Sequence, residues 1–191
     1  MKRPAIAIAL ALLSSACATH KLEPPAGFAQ VDQHDYSTTM IAADHVGLNV
    51  KAWDNVKGGT LSFWGEDLVN KLGARGYALQ RQSPVKSKNG VAGTRFDFAY
   101  TAPDGAEKFY SAVLYTSDDY RVVMQVAGNA ELGARYQGQL TDIASSIKIR
   151  GCKMGKSLCK SAQPSQLATK APQGKPKPSV VADASPEPHE G

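Results

Sequence analysis

The chain has 191 residues, 42% apolar and 7% aromatic, with 22 Lys+Arg, 17 Asp+Glu, 4 His and 3 Cys. Its length fits one domain, and the apolar share is enough for a core. No apolar run approaches the ~18–20 residues that span a bilayer. The net charge of +5 lies at the ends of the chain. Lys2 and Arg3 give +2 over residues 1–17, and six lysines against Asp183, Glu187 and Glu190 give +3 over residues 151–191. Residues 18–150 hold 14 basic and 14 acidic side chains and are neutral, which removes the charge argument for nucleic acid.

Met1-Lys2-Arg3 is a positive head, residues 5–13 are continuously apolar, and Ser14-Ser15-Ala16-Cys17 closes the segment with small residues. That is the layout of a bacterial secretory signal peptide over residues 1–17. Leu13-Ser14-Ser15-Ala16-Cys17 resembles a lipobox, the recognition site of lipoprotein signal peptidase. Ser14 stands where Leu is usual, and Leu13 is one place early. The resemblance implies that Cys17 is the lipid attachment site and becomes the acylated mature N-terminus, palmitate among its chains. Several acyl chains anchor a protein stably where one does not. Ala18 after the cysteine, where Asp would retain the protein at the inner membrane, implies an outer-membrane lipoprotein facing the periplasm. Ala16-Cys17-Ala18 also fits an ordinary small-x-small cleavage site, which would discard Cys17 and leave a soluble periplasmic or secreted protein.

Residues 18–27 are expected to be a tether, of which the polar and Pro-containing stretch 18–25 reaches at most ~30 Å, and residues 28–150 a single domain. Residues 38–43 and 46–53 predict two strands around an Asp44-His45 turn, with Val46, Leu48, Val50 and Ala52 on one face. Gly58-Gly59-Thr60 starts a helix whose stripe is Leu61, Trp64, Leu68 and Leu72, closed by Gly76. Its free amides could hold an anion, but every helix start has them. Four strands follow: 77–82 with an extension to Val85, then 93–101, 107–116 and 120–127. Residues 86–90, Pro103-Asp104-Gly105 and Ser117-Asp118-Asp119 are the turns. The last two strands are apolar on both faces and call for cover on both sides. A second helix begins near Asn129 with the stripe Leu132, Tyr136, Leu140, Ile143 and Ile147, weakened at Gly133 and Gly138 by ~1 kcal/mol each. The sum is an α+β fold: an antiparallel sheet of about six strands, a hairpin plus a four-strand meander, covered by two helices.

Cys152 and Cys159 are an even pair for an oxidising compartment, and their spacing closes a small disulfide loop within residues 151–160. Residues 161–191 hold six of the eleven prolines and no aromatics, the composition of a disordered tail. Its lysines could touch an anionic surface or an acidic partner.

No hydrolase elbow, zinc-protease motif, P-loop or dinucleotide fingerprint is present. Asp32, His34 and Asp35 fit a solvated polar loop better than a metal site, which usually needs three or four ligands. Trp64 belongs to the helix stripe, and Trp53 lies on the face opposite Val50. No enzyme activity, metal or cofactor is expected.

Phe96-Asp97-Phe98-Ala99-Tyr100, Tyr110-Ser111-Ala112-Val113-Leu114 and Val122-Val123-Met124-Gln125-Val126-Ala127-Gly128 resemble the meander of PsbP-like proteins. Ile143-Ala144-Ser145-Ser146-Ile147-Lys148 is similar to their closing helix. The resemblance spans residues 28–150 and implies a PsbP-like sandwich, a non-enzymatic accessory or binding module. The expected partners are the membrane, through the lipid anchor, and an envelope protein. The alternatives are a carrier of a small apolar ligand walled by Phe96, Phe98, Phe109 and Tyr136, or a periplasmic inhibitor or immunity protein.

Overall fold

The computed structural model describes residues 18–55 and 59–150. The signal segment with Cys17, the Cys152–Cys159 pair and the Pro-rich tail lie outside the described residues.

Alternation builds the first hairpin. In β3 (Ser37–Ala42) and β4 (Gly47–Asp54), Thr38, Met40, Ala42, Leu48, Val50 and Ala52 are buried on one face. The chain reverses at Asp44-His45, where His45 takes a φ of 64°, the left-handed conformation a tight turn demands. A strand not expected from the sequence, β2 (Phe28–His34), lies on the outer edge of β3 and takes in Asp32 and His34 of the expected polar loop. Its register slips between Gln30 and Asp32, placing a bulge at exposed Val31, a common way to bend a free edge.

Thr60 caps α1 (Leu61–Gly73), its Oγ1 accepting from the Phe63 amide at 3.1 Å. Gly76 closes the helix end at a φ of 86°. The meander then follows as β5 (Ala78–Lys86), β6 (Ala92–Thr101), β7 (Glu107–Thr116) and β8 (Tyr120–Asn129), all antiparallel. Hairpin and meander are not separate: β8 pairs with β4 from Gly47–Ala127 to Asp54–Tyr120. One sheet of seven strands results, in the order β2-β3-β4-β8-β7-β6-β5. The central position of β7 and β8 satisfies their two apolar faces.

One helix covers each face. Phe96, Phe98, Ala112, Leu114 and Val123 pack beneath α1 with Leu72. On the other face α2 (Gly133–Ser146) sets Tyr136, Leu140, Ile143 and Ala144 on Val50, Phe109, Val113, Tyr115 and Met124. A Cβ on Gly133 would come within 3.2 Å of Phe109 Cβ, so the glycine that weakens this helix by propensity also lets its first turn approach the sheet.

The expected tether is corrected at its start. His20 and Lys21 form β1 (His20–Lys21), paired with β9 (Lys148–Ile149) after α2, and Thr19, His20 and Leu22 are buried. The Arg150 amide donates to the Thr19 carbonyl at 2.9 Å, and the Thr19 amide to Asp35 O at 3.0 Å. Among the described residues, no helix is long and apolar enough to cross a membrane.

Candidate functional site

A groove of about 940 Å³ lies between α1 and the β5–β6 edge. Its walls follow from strand parity. Thr94 and Phe96 of β6, with Gln82, Pro84 and Lys86 opposite them on β5, face the side on which α1 lies. Leu61, Gly65 and Val69 come from the helix. Gly65 allows the close approach, because a Cβ there would lie 3.1 Å from Phe96 Cζ. Small residues at Ala92 and Thr94 leave the space above the floor unfilled. The rim is polar, with Ser62, Glu66, Asn70 and Lys86. Such a site suits an apolar body with a polar end, and its volume lies within the range of ligand pockets.

At the helix start lies an aromatic–cation stack. The Arg121 guanidinium is 4.0 Å from the Trp64 ring centroid and 5.4 Å from that of Trp53. Trp64 Nε1 donates to Asn55 Oδ1 at 2.9 Å, and Asn55 Nδ2 donates to the Ser117 carbonyl at 3.0 Å. Trp53 is 39% exposed on the face opposite Val50, and Trp64 is half-buried between the helix and Arg121. Gly59 lies hard against Trp64, a Cβ there falling 2.4 Å from Nε1, so this glycine serves packing, while Gly58 lies outside the described residues.

The four aromatic residues that the alternative carrier reading places around one ligand are divided by the sheet. Phe96 and Phe98 stack under α1 with centroids 6.5 Å apart. Phe109 and Tyr136 stack on the α2 side at 6.2 Å. Only Phe96 reaches the groove. At Asp32-x-His34-Asp35, expected as a solvated polar loop rather than a metal site, His34 Nε2 is 3.2 Å from Asp32 Oδ1 on the exposed edge. Among the described residues no group of three or more His, Cys, Asp or Glu side chains could hold a metal.

Sequence reasoning missed a buried charged cluster. Asp97 accepts from Arg95 Nε at 2.9 Å, Ser111 Oγ at 2.7 Å and Arg81 Nε at 2.9 Å. Arg95 Nη1 donates to Thr141 Oγ1 at 3.1 Å, tying the cluster to α2. Burial raises the Asp97 carboxyl, but hydrogen bonds from Arg95, Ser111 and Arg81 and the Arg95 charge outweigh it and hold the group below its usual range. The signal was the spacing Arg95-x-Asp97 in a strand whose other face is aromatic, a pattern identical to an ordinary solvent face. The cluster offers structure rather than chemistry, because each carboxylate oxygen already accepts from a positive partner.

No protein-family model matches the sequence, and no curated protein does. Solved structures do match in shape. Cyanobacterial PsbP (CyanoP) from Synechocystis superposes with a TM-score of 0.53 at 14% identity, over 69% of this chain and 86% of that one. LpqN of Mycobacterium tuberculosis, described as involved in cell envelope biogenesis, gives 0.52 at 7% identity, over 68% of this chain and 82% of that one. At such identities the likeness concerns the backbone alone. This chain has the α+β fold of the PsbP-like domains.

Proposed function

We propose that the protein is a non-catalytic binding module of the bacterial envelope, anchored through acylated Cys17 to the outer membrane and facing the periplasm. The groove over Phe96 carries this reading: a sizeable apolar concavity with a polar rim, on which Ser62 Oγ donates to Glu66 Oε1 at 3.4 Å. Its ligand is an apolar body with a polar end, whether a free small molecule or part of an envelope protein. The PsbP-like shape supports an accessory role by analogy only.

Native mass spectrometry of envelope-purified protein tests the reading, alongside displacement of a fluorescent apolar probe. Thr94→Phe fills the groove and should weaken probe binding at least ~10-fold, the equivalent of ~1.4 kcal/mol, with little change in unfolding midpoint. Unaltered binding in that variant would move the ligand elsewhere. Turnover of an envelope substrate that depends on one domain residue would end the non-catalytic reading.

A further inference from the structure

The described chain begins at one end of the sheet, and that end carries all its exposed large aromatic side chains. Thr19 is fully buried and held to Asp35 O through both its amide and its hydroxyl, at 3.0 and 2.8 Å. Asp35 and Tyr36 form the β2–β3 turn. The same end holds the last residues of β4, the β7–β8 turn, the first turn of α1 and the β5–β6 turn, because antiparallel connectivity returns each to it. Tyr36 is 44% exposed, Trp53 39% and Phe63 56%. The other exposed large apolar residues, Val31, Ile41 and Leu79, are aliphatic. Tyr36 packs edge-on against Tyr120 at 6.3 Å, and Phe63 against Trp64 at 4.9 Å. The aromatic residues are therefore supported from behind and presented outward.

We propose that this end is a membrane-seating face, which lies in the headgroup layer of a phospholipid bilayer with Tyr36, Trp53 and Phe63 as interfacial anchors. The inference rests on the reading that Cys17 is acylated. Only Ala18 separates that cysteine from buried Thr19, so an anchored domain has no slack with which to stand off from the lipid. A residue spans at most ~3.6 Å, which brings whatever surrounds Thr19 against the headgroups. Trp and Tyr favour this layer because their rings are apolar and their polar atoms remain hydrated. Both signs of charge are mixed at this end, where Lys21, Lys86, Lys88, Arg121, Lys148 and Arg150 lie among Glu23, Asp35, Asp54, Asp118 and Asp119. The aromatic contact is thus expected to survive high salt. The Lys86–Ala92 mouth of the groove lies at the same end, within reach of the lipid surface.

Both tryptophans of the chain lie at this end, so their emission reports on it. The acylated mature protein is reconstituted into phosphatidylcholine vesicles whose chains are brominated near the headgroup, and its N-terminal peptide is checked by mass spectrometry. Emission should fall about twofold relative to unbrominated vesicles, at low and high salt alike, as expected for an interfacial indole. Trp53→Phe should remove most of that quenching, leaving Trp64. Acylated protein with unquenched tryptophans would overturn the seating while leaving the anchor intact. If the cysteine proves unacylated, the anchor reading fails separately, and the 18–191 chain, which keeps every described residue, is added to the same vesicles. Quenching that Tyr36→Ser with Phe63→Ser abolishes would then uphold the face, and its absence would overturn it.

Discussion

Asp97 and His20 show how far single buried groups can set the stability of this domain. Asp97 is shared by two arginines, and removing it leaves Arg95, only 3% exposed, as a charge without its counterion. Asp97→Ala should cost about 3–5 kcal/mol in urea unfolding, whereas Arg81→Ala, at a side chain 59% exposed, should cost less than about 1 kcal/mol. Because the native carboxyl is held low, its contribution is complete above the unfolded value near ~4 and is lost as pH falls through the lower native one. His20 acts in a different window. Its Nε2 is 2.9 Å from Thr38 Oγ1 and its Nδ1 is 3.1 Å from Thr19 Oγ1, and burial pushes the imidazole down to about 4. Between the unfolded value near ~6.5 and about 4, the unfolded chain binds the extra proton, so stability drops as pH falls across that range. The loss should total roughly 3 kcal/mol and level off below it. Urea midpoints from pH 7.5 to 4.5 measure it, and His20→Gln should flatten the slope; an equal slope in that variant would assign the effect elsewhere.

The elements differ in how much of their setting a sequence can carry. The hairpin, α1, the meander and α2 follow from local periods of two and 3.6, and the Thr60 cap and Gly76 stop from local chemistry. The β4–β8 pairing that fuses hairpin and meander joins residues about seventy positions apart, and no local pattern encodes it. β2 was hidden because an edge strand held by one neighbour needs no apolar alternation: only Phe28 of its seven residues is buried. The groove escaped notice for a related reason, since it is defined by Gly65, Ala92 and Thr94, side chains that fail to fill space. The two glycines of α2 show the limit of propensity. Gly133 lies under Phe109, whereas nothing is within 4 Å of a Cβ on Gly138. Gly138→Ala should therefore stabilise by about 0.5–1 kcal/mol, and Gly133→Val should destabilise by about 1–3 kcal/mol through overpacking. Thermal unfolding of both variants decides the matter, and equal signs would mean that the α2–sheet contact is looser than the distances imply.

At the scale of the whole molecule, the first and last described segments are one structure. β1 and β9 pair only with each other, His20 opposite Ile149 and Lys21 opposite Lys148, and they stand apart from the seven-stranded sheet. They are nevertheless locked to it. Asn89 donates from Nδ2 to the Ile149 carbonyl at 2.8 Å, its Oδ1 accepts from the Ile149 amide at 3.0 Å, and Ser117 Oγ lies 3.1 Å from Arg150 O. Leu22 and Ile149 belong to the main core with Met40 and Val46. A chain beginning at Glu23 would lose the buried Leu22 side chain, worth about 1.5–3 kcal/mol, and several hydrogen bonds of Thr19 and His20 at ~1 kcal/mol each. It should therefore unfold at least about 3 kcal/mol more readily than the chain beginning at Ala18, with the amide of Arg150 newly open to hydrogen exchange. A free tether could be removed at no cost, so an unchanged urea midpoint and unchanged exchange would restore that reading and detach the membrane anchor from the fold.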